Sequence, residues 1–244
     1  MGSTALETAA RTSGELGHRP LRPKNDASLC NVCDLVLEAD HRIANHLAML
    51  SAYVRLKKKD LARQPAPLTD ASVQLAFDGV CAQIEAISHL HRALATRNRP
   101  AGIDLGEYLH QVCTPFMSGL SGAIAFSEDF QPDCLVRSEL ILPLTQIVSE
   151  VITNAIKYSH ARGETGRISV SCHFVTDKEL EIEIVDDGTG LPQLFDPLTA
   201  GGLGFRLIRA LTAKAEATSG FESSATGTRF WLRMANTPQI SDPD

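Results

Sequence analysis

A helical pattern of apolar residues dominates the first part of the chain. Between residues 28 and 63, apolar positions recur so that, at about 100° per residue, they fall on one stripe of a long helix. The stripe consists of Val32, Val36, Ala39, Ile43, Leu47, Leu50, Val54 and Leu61. His41 lies about 160° from the centre of the stripe at the same turn per residue, and His46 lies on its flank. The pattern therefore predicts that His41 faces outward.

A second amphipathic helix follows the prolines of QPAPLTD, which end the first one. It is predicted from about Ala71, with Thr69 or Asp70 as its N-cap. Its apolar seam, which also carries His91, consists of Val73, Phe77, Val80, Ile84, Ile87 and Leu94. Two long helices with a short connection predict an antiparallel hairpin. A second copy in a four-helix bundle is the simplest cover for its apolar surface, and the chain's own C-terminal half is the alternative.

After RNRPAG the pattern changes to mixed helices and strands. Helices are predicted over about 105–117, 139–159 and 205–215. Strands are predicted near 123–126 and 217, at TRFWLRM, and at RISVSCHFV and ELEIEIVDD, the last two as antiparallel neighbours. Because β-α-β units do not alternate regularly, the fold class is α+β, a helical hairpin followed by an α/β sandwich. The predicted boundaries are a tail over 1–27, the hairpin over 28–98, the sandwich over 103–236 and a tail over 237–244.

Composition narrows the function classes. The chain of 244 residues has 43% hydrophobic residues and a net charge of −6, and neither a membrane span nor a signal peptide is evident. The only dense basic run, Lys57-Lys58-Lys59, is expected to be a solvated helix end, so neither nucleic acid nor membrane is an expected partner. Cys30 and Cys33 form a C-x-x-C pair without the second pair of a zinc site. Six cysteines without secretory signals favour the cytoplasm.

Three stretches of the second half carry candidate chemistry. In IVSEVITNAIKYSH, Glu150, Asn154 and Lys157 project from one helix face, where an asparagine oxygen suits Mg²⁺ and a lysine suits phosphate. In VDDGTGLP, an acid at a strand end can accept a hydrogen bond from an exocyclic amine. In AGGLGFRLI, three glycines open a helix whose free N–H groups favour phosphate. Each stretch alone is also compatible with a surface face or an ordinary turn, whereas their order and spacing together are not expected by chance.

These stretches carry a family resemblance. EVITNAIKYS, VDDGTGLP and GGLGFRL resemble the N box and the two glycine boxes of the ATP-binding domain of sensor histidine kinases, the Bergerat (GHKL) fold, and ATGTRFWLRM resembles its closing strand. DHRIANHL resembles the phosphoacceptor box of the second histidine-kinase dimerisation subfamily, HisKA_2. The related HWE subgroup is a poorer match, because the only tryptophan, Trp231, is not in a Trp-x-Glu motif. The resemblance covers about residues 28–236.

The resemblance implies an ATP-dependent protein-histidine kinase of a two-component system, with ATP and Mg²⁺ as cofactors. His41 would accept the phosphoryl group, Asn154 would bind Mg²⁺ and Glu150 would be a polar partner at the metal. Asp186 would bind the adenine amine. The other residues implied at the nucleotide are Lys157, Gly188, Gly190, Gly202, Leu203, Gly204 and Thr228. The implied partners are a second copy of the chain and a response-regulator receiver domain, whose aspartate takes the phosphoryl group.

Departures from the family pattern leave other functions open. Ala44 replaces a usual basic residue, the loop over 193–201 is short, and the general base is unassigned, with Asp40 and Glu38 as candidates. A histidine phosphotransferase with a residual nucleotide site and a serine kinase of the anti-sigma type are the alternatives. The intact Asn154 and Asp186 argue against the first, and the HR-x-x-N hairpin argues against the second.

Overall fold

The structure, a computed structural model, describes residues 26–63, 67–95, 102–120, 124–159, 165–197 and 199–236. It contains two compact units, residues 1–43 and 44–244, and helix α1 (Asp26–Ala62) spans the division. Helix α2 (Asp70–Ala95) follows. Thr69 Oγ1 accepts a hydrogen bond from Ser72 N at 3.1 Å, and Ser72 Oγ accepts one from Thr69 N at 3.1 Å. Thr69 is therefore the predicted cap of α2, in a reciprocal capping arrangement.

Helix α2 packs against helices of the second half of the chain. Its contacts run to α3 (Leu105–Gly119) and α4 (Ser138–Asn154). Ala82, Ala86 and Leu90 are fully buried in the same hydrophobic core as these helices. The predicted apolar seam of α2 does not face this core at every position, since Phe77 is 63% and Ile84 is 46% exposed in the single chain. The α2 surface is thus covered on one side by the chain's own C-terminal half, the alternative considered from the sequence.

The strands form two sheets. Strands β1 (Ile103–Asp104) and β3 (Leu135–Val136) make a short antiparallel pair. The larger sheet has the order β2-β4-β5-β7-β6 and consists of β2 (Ile124–Phe130), β4 (Gly166–Thr176), β5 (Glu179–Asp186), β6 (Thr218–Ser224) and β7 (Gly227–Ala235). Strands β2 and β4 run parallel and the other neighbours antiparallel. The predicted pairing of β4 with β5 is confirmed.

One face of this sheet is buried under the helices. Alternate residues of the three central strands have almost no exposed surface, among them Ile168, Val170, Leu180, Ile182, Phe230 and Leu232. They share a core with buried residues of α3, α4 and α5 (Leu203–Lys214). This two-layer arrangement confirms the α+β fold class and the α/β sandwich.

The most deeply buried helix is α4. Residues 138–157 have the length and apolar composition of a membrane span, yet most of this stretch is buried inside the protein as a core helix. The predicted helix over 139–159 is corrected at its end, because α4 stops at Asn154 and a π-helical turn, Ala155–Ser159, follows. Such turns are common next to functional sites.

Candidate active site

The end of α4 brings together the first set of predicted site residues. Glu150 is 4% exposed, and Asn154, one turn later, is half-buried. Lys157, in the π-helical turn, is half-buried, and its Nζ donates to Asp60 Oδ2 at 3.3 Å. These three residues do not form a solvated helix face. Glu150 and Asn154 lie in the last part of α4, and Lys157 lies in the π-helical turn that follows.

Gly204, at the start of α5, lies against the end of α4. A Cβ atom built on Gly204 would lie 2.9 Å from Glu150 Oε2 and 3.9 Å from Asn154 Oδ1. The absence of a side chain therefore lets the glycine-rich segment approach the two polar residues of α4. Gly202, the N-cap of α5, faces open space, with no atom within 4 Å of a built Cβ. This glycine leaves room beside the helix N-terminus.

Asp186 ends β5 and is nearly buried. Its Oδ1 accepts a hydrogen bond from Gly188 N at 3.0 Å, which fixes the carboxylate at the strand end. Thr228 of β7 is the register partner of Asp186. Gly188 thus contributes to the site by holding the Asp186 carboxylate in place.

Gly190 adopts a conformation that other residues tolerate poorly. Its φ is +70°, and a Cβ atom there would lie 1.9 Å from the Ser224 carbonyl oxygen. We expect Gly190→Ala to lower the free energy of unfolding by about 2–3 kcal/mol through left-handed strain and overlap with the backbone. Urea unfolding without nucleotide measures this change. Gly202→Ala is the matched control and should change stability by no more than about 0.5 kcal/mol. An equal effect of both variants would contradict the assigned backbone geometry.

The three stretches enclose one cavity of about 440 Å³. Nine of the ten residues predicted at the nucleotide from the second half of the chain line it; the exception is Gly188. These nine are Glu150, Asn154, Lys157, Asp186, Gly190, Gly202, Leu203, Gly204 and Thr228. A cavity of this size suits a small-molecule ligand.

Helix α1 contributes residues that the sequence pattern did not predict. Lys57, expected to be solvated, is only 6% exposed, and its Nζ lies 2.7 Å from Glu150 Oε1. Tyr53 is buried, and its hydroxyl is 3.1 Å from Ser149 Oγ. Burial, followed by the nearby Glu150 carboxylate, raises the pKa of Tyr53 well above its usual value. The spacing of Tyr53, Lys57 and Asp60, by four and three residues, was the signal in the sequence that they share a helix face.

The donor set fits a magnesium-bound triphosphate. Asn154 Nδ2 is buried without a hydrogen-bond partner among the described residues, so an acceptor such as a phosphate oxygen or a water would satisfy it. The Asn154 carbonyl oxygen and the Glu150 carboxylate are hard ligands of the kind Mg²⁺ prefers. Gly202 leaves open space at the N-terminus of α5, where backbone N–H groups favour an anion.

Comparison with known families identifies the two halves of the chain. Residues 38–119 match HisKA_2, a histidine kinase family, and residues 139–238 match HATPase_c, the histidine kinase-, DNA gyrase B- and HSP90-like ATPase family. The chain belongs to the histidine kinases. The resemblance drawn from the motifs is thereby confirmed, with a HisKA_2-like segment followed by a GHKL ATP-binding domain.

Relatives of this histidine kinase include light-regulated proteins. It is 26% identical to blue-light-activated histidine kinase 2 of Erythrobacter litoralis, over 78% of this chain and 54% of that protein. It is 31% identical to a blue-light-activated histidine kinase of Rhizobium johnstonii, over 56% of this chain and 34% of that protein. The chain therefore spans about half or less of the length of these relatives.

Solved structures agree on the fold. The histidine kinase domain of an Erythrobacter litoralis blue-light activated histidine kinase superposes with a TM-score of 0.58 and 23% identity, covering 78% of this chain and 97% of that one. In this histidine kinase, His41 belongs to the unit of residues 1–43, and it is exposed, as predicted. His46 and His91 are half-buried and face each other, with 3.1 Å between Nδ1 of His46 and Nε2 of His91.

Proposed function

We propose that this histidine kinase phosphorylates its own His41 from Mg-ATP and passes the phosphoryl group to an aspartate of a response-regulator receiver domain. The observation that carries the proposal is the convergence of Asn154, Asp186 and Gly204 on one cavity. The exposed His41, inside a segment that matches HisKA_2, supplies the acceptor.

The proposed reaction needs little covalent chemistry from the protein. A neutral imidazole nitrogen of His41 attacks the γ-phosphorus, an N–P bond forms, and the bond to the bridging oxygen breaks so that ADP leaves. The proton on the ring passes to a base or to water, and the exposed Asp40 carboxylate is a candidate. Imidazole is largely neutral near pH 7, so a strong base is not required. An exposed acceptor side chain can be approached in line by the phosphoryl group.

In this proposal, different cavity residues contact different parts of the nucleotide. Asp186 accepts a hydrogen bond from the adenine amine, and Gly190 and Thr228 shape the same end of the pocket. Asn154 would hold Mg²⁺, with Glu150 beside it. When bound, Mg²⁺ offsets charge on the triphosphate oxygens. The polyphosphate would bind at Gly202, Leu203 and Gly204, where free backbone N–H groups begin α5.

Transfer to a receiver tests the second half of the proposal. The kinase is first labelled with γ-labelled ATP and Mg²⁺, freed of nucleotide, and then mixed with a receiver domain. Label should leave the kinase and appear on the receiver, and a receiver whose acceptor aspartate is replaced by alanine should take none. A kinase that keeps its label in the presence of every receiver encoded beside or co-expressed with it would contradict the transfer step.

We also propose that the hairpin forms a homodimer. Leu47 and Val54 on α1, and Phe77 and Ile84 on α2, are each exposed and are seven residues apart within their helix. Such spacing places each pair on one face, as in packed helical bundles. The predicted hairpin domain over 28–98 and ATP-binding domain over 103–236 remain part of this proposal.

Light scattering tests the dimer. We expect about twice the chain mass of 26.4 kDa, because four large apolar side chains per copy would otherwise stay in water. The double variant Phe77→Glu with Ile84→Glu should shift the mass to that of one chain. Gln74→Glu, which adds a charge at another exposed position of α2, should leave the dimer intact. A wild-type protein that is monomeric at all concentrations would contradict this proposal.

The rival functions have less support. A phosphotransferase with a residual site does not need the cavity that Asn154, Asp186 and Gly204 line, and a serine kinase does not need a HisKA_2 segment.

We place the reaction in the cytoplasm. Cys81, Cys113, Cys134 and Cys172 are free thiols, which is compatible with a reducing compartment.

A further inference from the structure

Lys57 is an unusual lysine for the end of a surface helix. It is 6% exposed, whereas Lys58 and Lys59, which follow it in the same run, are exposed. Removing an ammonium group from water is costly unless an anion compensates it. The position of Lys57 therefore calls for an explanation that does not apply to its two neighbours.

The contacts of Lys57 orient its ammonium group toward the nucleotide cavity. Nζ lies 2.7 Å from Glu150 Oε1 and 5.2 Å from the centre of the Tyr53 ring. The residue lines the cavity together with Asp60, which is paired with Lys157 at 3.3 Å. An ammonium carries three donors, so the pairing with Glu150 leaves donor capacity for a ligand in the cavity.

The charged residues of the cavity wall differ between its two ends. The described cavity residues include two lysines, Lys57 and Lys157, and three carboxylates, Asp60, Glu150 and Asp186. Each lysine is paired with one carboxylate, Lys57 with Glu150 and Lys157 with Asp60, and the remaining carboxylate, Asp186, lies at the end assigned to the adenine. Lys57 is thus held beside Glu150, one helical turn before Asn154, at the end where the phosphates would lie. A lysine is a compact cation well suited to phosphate oxygens.

We propose that Lys57 is a phosphate-binding residue of the nucleotide site, so that helix α1 supplies one wall of the ATP pocket. This inference rests on the proposed ATP site and adds a residue to it. Glu150 holds the ammonium in place before the nucleotide binds, and the ammonium then contacts the terminal phosphates. The polar contacts of Tyr53 and Asp60 hold this part of α1 against α4 and the π-helical turn that follows it.

Binding measurements on the full chain test the proposal without relying on kinase activity. Lys57→Met is compared with Lys58→Met, which removes an exposed charge one position along the helix. Calorimetry with ATP, and displacement of a fluorescent nucleotide by adenosine, give the affinities. We expect Lys57→Met to weaken ATP binding by about ten- to a hundredfold and adenosine binding by less than about twofold, because adenosine has no phosphate. Lys58→Met should change neither.

Lys57→Met leaves the Glu150 carboxylate buried without its cation, and this also affects folding. A second comparison therefore separates the effect on folding from the effect on ATP binding. E150Q is compared with K57M/E150Q, since residue 150 is neutral in both proteins. A further loss of ATP affinity in the double variant, present with and without Mg²⁺, supports an ammonium–phosphate contact. Unchanged ATP affinity in both comparisons, with a wild-type protein that binds ATP, overturns this inference alone.

Two other outcomes are informative. Tighter Mg-ATP binding by Lys57→Met would mean that the ammonium competes with the metal for Glu150, and it would overturn the proposed phosphate contact. A wild-type protein that binds no ATP would overturn the proposed function, and this inference with it.

Discussion

Mg-ATP should raise the melting temperature of the wild-type protein by about 5–10 °C at a concentration one hundred times its Kd. Asn154→Ala and Asp186→Asn should each abolish this shift. Asn154→Ala removes the only amide oxygen at the end of α4 that lines the cavity among the described residues. Asp186→Asn replaces an acceptor by an amide that can present a donor to the adenine amine.

The unliganded variants provide the control for this expectation. Asp186 Oδ1 accepts from Gly188 N, and an asparagine oxygen can accept the same bond, so the loop should keep its conformation. Asn154 Nδ2 has no hydrogen-bond partner among the described residues, so truncating it removes no internal bond. Both variants should therefore melt within a few degrees of the unliganded wild type, about the range of an ordinary surface substitution. Wild-type ATP shifts in both variants would contradict the site assignment.

The strands of the sandwich were predictable because their side chains alternate. Strands β4, β5 and β7 place one residue in two in the core, and the sequence carries this period directly. Strand β2 was predicted too short, over 123–126. The strand continues through Ser127, Glu128 and Asp129 to Phe130, because parallel pairing with β4 holds the backbone there. The polar side chains of these three residues do not indicate in the sequence that the strand extends this far.

The orientation of α1 was harder to predict. Its apolar stripe marks Leu47 and Val54, which the single chain leaves exposed. The face that packs within residues 44–244 is instead marked by Tyr53, Lys57 and Asp60, whose partners are Ser149, Glu150 and Lys157. Hydrophobic periodicity cannot detect a face held by ion pairs and hydroxyl groups. The motifs predicted nine residues that line the cavity, and the contribution of α1 required the three-dimensional structure.

His41→Ala should remove all phosphorylation of the protein. The imidazole nitrogen is the proposed nucleophile, and alanine provides none, so the loss should be complete and not partial. His46→Ala and His91→Ala should retain labelling. Their rings are half-buried and face each other, 3.1 Å apart, and are not presented to solvent as His41 is. His89→Ala should also retain it, because that half-buried ring packs edge-on against Tyr108.

The chemistry of the product distinguishes histidine from other acceptors. A phosphorus–nitrogen bond on imidazole is broken in acid and survives in alkali, whereas a phosphoserine ester is stable in acid. The same labelled sample, split between the two treatments, therefore reports the class of acceptor without any variant. The serine-kinase alternative expects acid-stable label on a hydroxyl.

Incubation of the wild type and of His41→Ala with γ-labelled ATP and Mg²⁺, followed by acid and alkali treatment, tests the proposed phosphoacceptor directly. We expect one label per chain in the wild type, lost in acid, kept in alkali and absent from His41→Ala. Label that persists in His41→Ala, or that resists acid in the wild type, would contradict the assignment of His41 as the phosphoacceptor.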